Sequence, residues 1–360
     1  MTSFNLDNFP TKYLTFDDVG LVPRFNTIKS RLNTDISVSL DGIKYNYPFV
    51  PANMNTVIGT KMADIITELN GMIIYHRFCP IEEKLEILKK YKNVYMSCGI
   101  SDEEKKDIDI LLENGCSKFC IDVAHGHCSQ VGDLIEYIKN KISSSSYSLV
   151  AGNVCSAEGY EYLARKGATI IKVGIGGGSI CTTRLKTGFG VPQLTAVMLC
   201  NKMKQKLEQE NIKTWLISDG GINHPKDAVI AIANGADMIM MGSKFARTLE
   251  SAGKKYVLSQ EKYIEYDLNI HKSEQIYNHY QGQASFIFMQ NYYKKSRVAE
   301  GEDFYLKCTM SCNDVIDEYC GSLKSALTYN GSSNINEFMY NVIMFEASNN
   351  YMNESGTRKN

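Results

Sequence analysis

Short apolar runs recur eight times before residue 242, and each is followed by a segment in which apolar residues recur at helical spacing. Near-continuous apolar runs are typical of strands that are buried on both faces of a parallel sheet. The pattern predicts strands at Tyr47–Pro51, Met72–His76, Val94–Cys98, Lys118–Asp122, Ser148–Gly152, Ile170–Val173, Thr214–Ser218 and Met238–Met241. Strand and helix alternate throughout, so an α/β fold is predicted.

The number of units favours a closed (β/α)8 TIM barrel over an open, doubly wound sheet, since eight units fit a chain of 360 residues. A Rossmann sheet would carry its glycine fingerprint after the first strand, where none is present. The carboxyl ends of barrel strands meet at one mouth, which is where active sites are built. Polar residues that we expect at this mouth are Asn53, His76, Arg77, Asp122, His125, Asn153, Cys181 and Asp219.

The alternation of strand and helix stops after the eighth strand. Residues 243–312 separate that strand from the last predicted helix, Asn313–Leu327. A connection of this length is usually functional, so we interpret it as a lid over the mouth. The domain prediction is therefore one barrel over residues 1–345, with a solvent loop at Ser143–Ser146 and a flexible polar tail over residues 346–360.

Composition excludes several classes of protein. The chain is 44% hydrophobic with a net charge of -1, which is typical of a globular protein and not of one that coats nucleic acid. No apolar run reaches the roughly 18 residues of a membrane span, and the N-terminus has no export pattern. Eleven cysteines at irregular spacing indicate reduced thiols in the cytoplasm.

The richest chemistry follows the sixth strand, within residues 170–196. A glycine-packed turn there lets the backbone approach a ligand closely, and Ser179 offers an N–H and a hydroxyl to an anion. Cys181 then stands two residues before Thr183, which places a possible nucleophile beside a possible proton carrier. A glycine turn or a lone cysteine is weak evidence, but their combination after one strand favours an active site.

Two further loops have the composition of a phosphate site. Asp219, Gly220 and Gly221 follow the seventh strand, and Gly242 and Ser243 follow the eighth. The loops after strands seven and eight form the usual phosphate site of a TIM barrel. Asp219 is acidic, so its better role is to accept hydrogen bonds from ribose hydroxyls. A phosphorylated ligand is therefore predicted.

Histidines near the strand ends keep a second class open. His125 and His127 are spaced like metal ligands, so a metal-dependent barrel hydrolase is the competing interpretation. The fifth and sixth strands, however, end without histidine or carboxylate ligands. In the lid, residues 297–301 (RVAEG) are either a charged surface turn or a segment that carries an acid/base group to the mouth.

Over about residues 13–335, the sequence resembles the inosine-5′-monophosphate dehydrogenase / guanosine-5′-monophosphate reductase family. The family-wide runs are 14–19 (LTFDDV), 174–183 (GIGGGSICTT), 218–222 (SDGGI) and 241–243 (MGS). Runs 27–31, 52–54, 184–190 and 297–301 look like the reductase branch. The dehydrogenases usually carry inserted regulatory modules and an Arg-Tyr flap, for which this chain has neither room nor sequence.

The resemblance implies NADPH-dependent reductive deamination of GMP to IMP. Cys181 would attack the purine C2 as a thiolate and form a covalent thioimidate that expels ammonia. NADPH would then deliver a hydride to C2, and the thiolate would leave. Thr183 and Glu300 would form the proton-transfer pair that turns the amino group into ammonia.

The resemblance also implies binding residues and partners. The nucleotide would be held by Ser179, Asp219, Gly220, Gly221, Gly242, Ser243, Ser285, Arg297 and Gly301. The cofactor would contact Asp122, Asn153 and Arg77. A monovalent cation, K⁺, would bind the carbonyls of Gly176, Gly178 and Cys181. We further expect a homotetramer whose partner is a purine mononucleotide and not nucleic acid or a membrane.

Some positions depart from the family pattern. Gly177 stands where Pro is usual, Asn55 where Asp is usual, and Arg77 where the reductases have Lys. His125 and His127 replace Asn and Tyr. Two alternatives to the reductase stay open: an IMP dehydrogenase without its regulatory insert, which would oxidise IMP to XMP with NAD, and a nucleotide-binding protein without turnover.

Overall fold

The computed structural model describes residues 12–142, 147–267, 270–271, 274–293, 299–348 and 351–355. Eight of its strands are β4 (Phe49–Pro51), β5 (Ile73–Tyr75), β6 (Val94–Cys98), β7 (Lys118–Asp122), β8 (Ser148–Val154), β9 (Ile170–Val173), β10 (Trp215–Asp219) and β11 (Met238–Met241). Each lies within two residues of its predicted bounds. The predicted solvent loop at Ser143–Ser146 lies outside the described residues.

These eight strands form one parallel sheet in the order β4-β11-β10-β9-β8-β7-β6-β5. The two ends of this order, β4 and β5, contact each other, which brings the sheet round into a barrel. The predicted (β/α)8 fold is therefore confirmed. All strand carboxyl ends open on one side, and this side carries the site.

Helices pack around the sheet because each presents apolar residues to it. They are α1 (Thr60–Glu68), α2 (Ile81–Lys90), α3 (Asp102–Glu113), α4 (Ser129–Lys141), α5 (Ala157–Lys166), α7 (Gln193–Gln209), α8 (Pro225–Ala233) and α11 (Cys312–Asn330). Local signals set their ends. The Ser101 hydroxyl accepts from the Glu104 N–H at the start of α3, and Gly167 ends α5 with φ +117°.

The apolar core has two parts. The larger lies between the strands and the helices, and the smaller fills the inside of the barrel. The inner part is built from side chains on alternating strand positions, as close packing of a small barrel requires. Its members include Val50, Tyr95, Cys120, Val150, Ile170, Ile217, Met238 and Met240.

A hairpin closes the amino-terminal end of the barrel. Its strands are β2 (Val38–Leu40) and β3 (Ile43–Tyr45), which pair antiparallel. Leu40 and Tyr45 are buried in the inner core, and the turn residue Asp41 accepts a hydrogen bond from the Thr169 hydroxyl at 2.6 Å. The mouth at the opposite end is therefore the only open end of the barrel that the described residues form.

The predicted lid segment has a sheet of its own. Short helix α9 (Ser243–Ala246) is followed by β12 (Lys255–Ser259), β13 (Lys262–Glu265), β14 (Ile276–Gln281), helix α10 (Phe286–Tyr293) and β15 (Asp303–Lys307). The four strands are antiparallel in the order β13-β12-β14-β15. The sequence pattern did not indicate this sheet.

Segments near the two ends of the described residues pair with each other. β1 (Val19–Leu21) pairs antiparallel with β16 (Met344–Glu346), which follows α12 (Ile335–Asn341), and a last helix, α13, covers Tyr351–Ser355. Glu346, the first residue of the predicted tail, is thus paired within a strand. No helix in the described residues is long and apolar enough to cross a membrane.

Candidate active site

A cavity of about 940 Å³ opens at the carboxyl ends of the barrel strands. Its floor is formed by the loops that follow the strands, and its roof by lid residues 282–284 and 300–301. Predicted residues that line it are Arg77, Asp122, Asn153, Gly176, Gly178, Ser179, Cys181, Thr183, Asp219, Gly220, Gly221, Gly242, Ser243, Glu300 and Gly301. Residues that lie far apart in the chain are thus brought to one cavity.

Three of these side chains form a hydrogen-bonded relay. The Cys181 thiol donates to the Thr183 hydroxyl, with 3.2 Å between Sγ and Oγ1. The Thr183 hydroxyl in turn donates to the Glu300 carboxylate at 2.9 Å. A proton can therefore pass from the thiol to the carboxylate, which is the arrangement that makes a thiolate nucleophile.

The lid delivers Glu300 through backbone pairing. The N–H of Thr182 donates to the carbonyl of Glu300 at 2.9 Å, and the N–H of Glu302 donates to the carbonyl of Ile180 at 3.0 Å. Cys181 and Gly301 face each other in an antiparallel bridge between these bonds. The Cys181 thiol and the Glu300 carboxylate are held in register by main-chain contacts.

Arg184 braces the loop that carries the thiol. It is the second residue of the short helix α6 (Thr183–Thr187), and its guanidinium donates to the carbonyls of Ile175 and Val191. The loop also needs glycine at Gly176, where φ is +77° and a Cβ would lie 2.5 Å from the Arg184 Cγ. The predicted close approach of the backbone is therefore present.

Backbone N–H groups form an anion cradle beside the thiol. In the part of the chain that the structure describes, the N–H groups of Ser179, Gly220 and Gly221 donate to no other residue. Gly220 has φ +98°, and a Cβ there would lie 3.1 Å from the backbone of Gly177 and Gly178. Free amides on a surface that approaches this closely are what a phosphate requires.

Below the cradle lies a buried charge cluster centred on Lys172, whose side chain is 2% exposed. Its ammonium donates to Asp122 at 2.7 Å and to Asp219 at 3.3 Å. Burial alone would lower the pKa of Lys172, but the two carboxylates hold it above its ordinary value. Burial would likewise raise the pKa of Asp122, and Lys172 more than offsets this, so Asp122 is ionised.

Asn153 connects the cluster to the thiol loop. Its amide nitrogen donates to the Gly174 carbonyl at 2.7 Å and to Asp219 at 2.8 Å. Its amide oxygen is buried without a partner in the described residues. A buried acceptor without a donor is costly, so this oxygen is suited to an N–H group of a ligand.

The far side of the cavity is shaped by Arg77. Its guanidinium donates to Glu104 at 2.7 Å and lies 4.3 Å from the centre of the Phe78 ring. The same Glu104 oxygen accepts from the N–H of Gly99, so the arginine is tied to the start of α3. The neighbouring His76 is neutral at physiological pH, since burial and then Lys84 lower its pKa to about 4.

One predicted binding residue, Ser285, does not line the cavity. The side chain of Ser285 is 1% exposed, and its hydroxyl accepts from the Phe288 N–H at the start of α10. Ser285 is absent from the cavity wall, although its backbone bridges to Gly301. Arg297 lies outside the described residues.

Sequence reasoning missed other residues of the site. Lys172 lines the cavity but belongs to an apolar strand, and a lysine inside such a run was the signal that could have revealed it. Gln283 of the lid donates to the carbonyl of Asn53, and Tyr280 and Met289 also face the cavity. These lid residues lacked any sequence signal.

A cluster of metal ligands around His125 and His127, as their spacing suggested, is absent from the described residues. His125 and His127 are exposed, with ring centres 6.3 Å apart. Among the described residues, no group of three or more His, Cys, Asp or Glu side chains is arranged to hold a metal ion. All eleven cysteines are free.

Comparison with known proteins points to one family. A family model described as "IMP dehydrogenase / GMP reductase domain" matches residues 13–358. A protein named GMP reductase from Pediococcus pentosaceus is 39% identical over 263 residues, which cover 71% of this chain and 78% of that protein. Proteins of the same name from Lactobacillus acidophilus (34% identical, 91% of this chain and 93% of the relative) and Staphylococcus carnosus (33%, 90% and 93%) are similar over nearly their whole length.

Proposed function

The chain belongs to the IMP dehydrogenase / GMP reductase family, and from that premise we propose that it reduces GMP to IMP and ammonia with NADPH. It is an oxidoreductase. The relatives described above are named GMP reductase. The observation that carries the proposal is the relay from Cys181 through Thr183 to Glu300 on the cavity wall.

The relay accounts for the deamination half of the reaction. Glu300 takes the thiol proton through the Thr183 hydroxyl, and the Cys181 thiolate adds to C2 of the guanine. The same proton returns through Thr183 to the departing amino group, which leaves as ammonia. A thioimidate then joins Cys181 to C2. After a hydride reaches C2, the carbon–sulfur bond breaks, the thiolate leaves, and IMP is formed.

The cradle and the charge cluster orient the nucleotide for this attack. The amides of Ser179, Gly220 and Gly221, together with Gly242 and Ser243, hold the phosphate. Asp219 accepts hydrogen bonds from the ribose hydroxyls, and its position is fixed by Asn153. A phosphate and a ribose anchored at the rim direct the base towards the Cys181 sulfur, which is the proximity that the chemistry requires.

The cofactor half of the cavity fits a nicotinamide. The unpartnered Asn153 oxygen can accept from its carboxamide, and the ionised Asp122 favours the positive charge that the ring gains. NADPH would supply the hydride. Arg77 would contact the cofactor as a fixed cation, since an arginine does not give up a proton near neutrality.

Further features of the family remain proposals for this chain. K⁺ would bind the carbonyls of Gly176, Gly178 and Cys181, and the Gly178 carbonyl, which accepts from the Cys181 N–H, keeps one lone pair for it. A homotetramer and a contact of Ser285 and Arg297 with the nucleotide are proposed on the resemblance alone. A cytoplasmic location is supported by eleven free thiols.

A two-mixture assay tests the function. The purified protein is incubated with GMP and NADPH, and separately with IMP and NAD⁺, while the absorbance of the reduced nicotinamide is followed. We expect the absorbance to fall in the first mixture, with one ammonia formed per NADPH consumed, and to stay constant in the second. Turnover only in the second mixture would instead identify an IMP dehydrogenase, and turnover in neither would identify a binding protein.

A further inference from the structure

Lys172 occupies a position where a charged residue is unusual. It is the third residue of β9, whose other three residues are apolar and buried, and only 2% of its side chain is exposed. The fold makes room for it, because a Cβ on the neighbouring Gly152 would lie 2.7 Å from the Lys172 Cβ. A charge is buried at such a place only when its partners are fixed.

The partners of Lys172 come from four different strand ends. Its ammonium contacts Asp122 at the end of β7 and Asp219 at the end of β10, and it lies 3.3 Å from the Asn53 amide oxygen after β4. The Met240 sulfur on β11 is 3.9 Å away. One side chain therefore joins the carboxylate proposed to face the cofactor with the carboxylate proposed to hold the ribose.

The charges around the cluster do not balance without Lys172. The two carboxylates share one cation, and the Cys120 thiol on β7 faces the same space. The positive charge of Arg77, on the cofactor side, also lowers the pKa of Asp122, but Arg77 forms its ion pair with Glu104. If the ammonium were removed, two partly buried carboxylates would share one site, and repulsion within such a pair raises the pKa of one member.

We propose that Lys172 is a positioning residue that holds the Asp122 and Asp219 carboxylates in place, so that the cofactor half and the nucleotide half of the cavity are set by one side chain. This rests on the proposed function for the roles of the two carboxylates. Lys172 itself does not contact the reacting carbon. It acts through the residues that bind the two ligands.

The experiment measures GMP binding, which does not require turnover. The dissociation constant for GMP is determined by calorimetry between about pH 6 and pH 8 for the wild type, Lys172→Met and Lys172→Arg. The dissociation constant of each variant is divided by that of the wild type at the same pH. The effect of the titration of the GMP phosphate is common to both and therefore cancels. Thermal unfolding first establishes that each variant is folded.

We expect Lys172→Met to bind GMP roughly 10-fold more weakly at pH 8, as loss of an orienting partner typically costs 10- to 100-fold. Its ratio should rise further towards pH 6, because protonation of the carboxylate pair removes an acceptor for the ribose. Lys172→Arg keeps the charge, so its ratio should stay constant with pH. Lys172→Gln serves as a second neutral variant should the methionine variant not fold.

Lys84→Met is the matched control. Lys84 is 3% exposed and pairs with Asp107 at 2.6 Å, but it lies between α2 and α3 and does not line the cavity. Its loss should lower stability and leave the GMP ratio constant with pH. The proposal would be overturned if the ratio of dissociation constants for the neutral Lys172 variants did not change with pH. It would also be overturned if the Lys84 variant showed the same pH dependence as these variants.

The outcomes also separate this inference from the proposed function. If the wild-type protein binds GMP but shows no turnover in the two-mixture assay, the proposed function is wrong. The role of Lys172 in GMP binding can still be measured in that case. Normal turnover together with a pH-independent Lys172→Met ratio would remove the inference alone.

Discussion

Each end of the barrel holds a partly buried carboxylate, but the groups that stabilise it differ between the two ends. At the closed amino-terminal end, Asp41 accepts from the hydroxyls of Ser148 and Thr169, and the Tyr95 hydroxyl bonds to Ser148 at 2.8 Å. At the open end, Asp122 is held by the Lys172 ammonium. Burial raises the pKa of Asp41 and the hydroxyls offset this only partly, whereas the pKa of Asp122 is lowered.

This difference indicates that the closed end contributes to stability and the open end to ligand binding. At the closed end, two neutral hydroxyls donate to one oxygen of Asp41, where a hairpin covers the barrel. The open end instead keeps an ionised carboxylate, an unpartnered amide oxygen and free backbone amides. Unsatisfied groups of this kind are costly to a folded protein, and those that line the open cavity are available to a ligand.

Cys181→Ala should have the largest effect, and only at the open end. We expect turnover of GMP to fall at least about 10⁴-fold, because the nucleophile is lost, while GMP binding changes little. Steady-state kinetics and calorimetry measure the two quantities. Cys128→Ala is the control, since it removes a half-buried thiol at the same end of the barrel that does not line the cavity. Equal turnover in the two variants would disprove covalent catalysis by Cys181.

Glu300→Gln should act on one half of the reaction. The relay would lose its proton acceptor, so ammonia release should slow by roughly 10²- to 10⁴-fold. Hydride transfer, followed in reverse from IMP to NADP⁺ in a single turnover, should slow much less.

Glu302→Gln is the matched control for this variant, because Glu302 is exposed and contacts the thiol loop through its backbone N–H. Full GMP turnover in Glu300→Gln would show that the proton acceptor is another group.

Asp41→Asn should have the smallest effect, on stability alone. The folded-state pKa of Asp41 is raised, so its stabilising contribution is complete below the unfolded pKa and is lost as pH rises through the folded pKa. Asparagine does not ionise. The stability of the variant relative to the wild type should therefore increase between about pH 3 and pH 7.

Denaturant unfolding across that pH range measures this dependence. Asp35→Asn is expected to show the opposite slope, because the Ser37 N–H and hydroxyl lower the pKa of Asp35. A relative stability of Asp41→Asn that falls with pH would show that the hydroxyls dominate over burial, and would remove the contrast between the two ends.

The barrel could be predicted from the sequence because its signals are local. Each strand is a run of apolar residues, and helix ends are marked by residues such as Ser101 and Gly167 within one turn of the boundary. The lid sheet could not be predicted in the same way. Its strands carry polar and aromatic residues on both faces, and β13 is exposed along its whole length, so burial imposes no clear period.

The site was predictable only where one stretch of chain carries the chemistry. Cys181 and Thr183 lie two residues apart, and the family resemblance supplied Glu300, whose position depends on contacts across 117 residues. Lys172 was missed because its meaning depends on two carboxylates 50 and 47 residues away. The contact of Ser285 with the ligand rests on the resemblance, and its hydroxyl accepts from the Phe288 N–H at the start of a helix.

The backbone pairing between residues 180–182 and 300–302 has a consequence for how the enzyme is assembled. Main-chain hydrogen bonds join the two segments, so a shift of one segment moves the other. The Cys181 sulfur and the Glu300 carboxylate are therefore displaced together. Because both bonds join main-chain atoms, this coupling does not depend on which side chains occupy positions 180, 182 and 302.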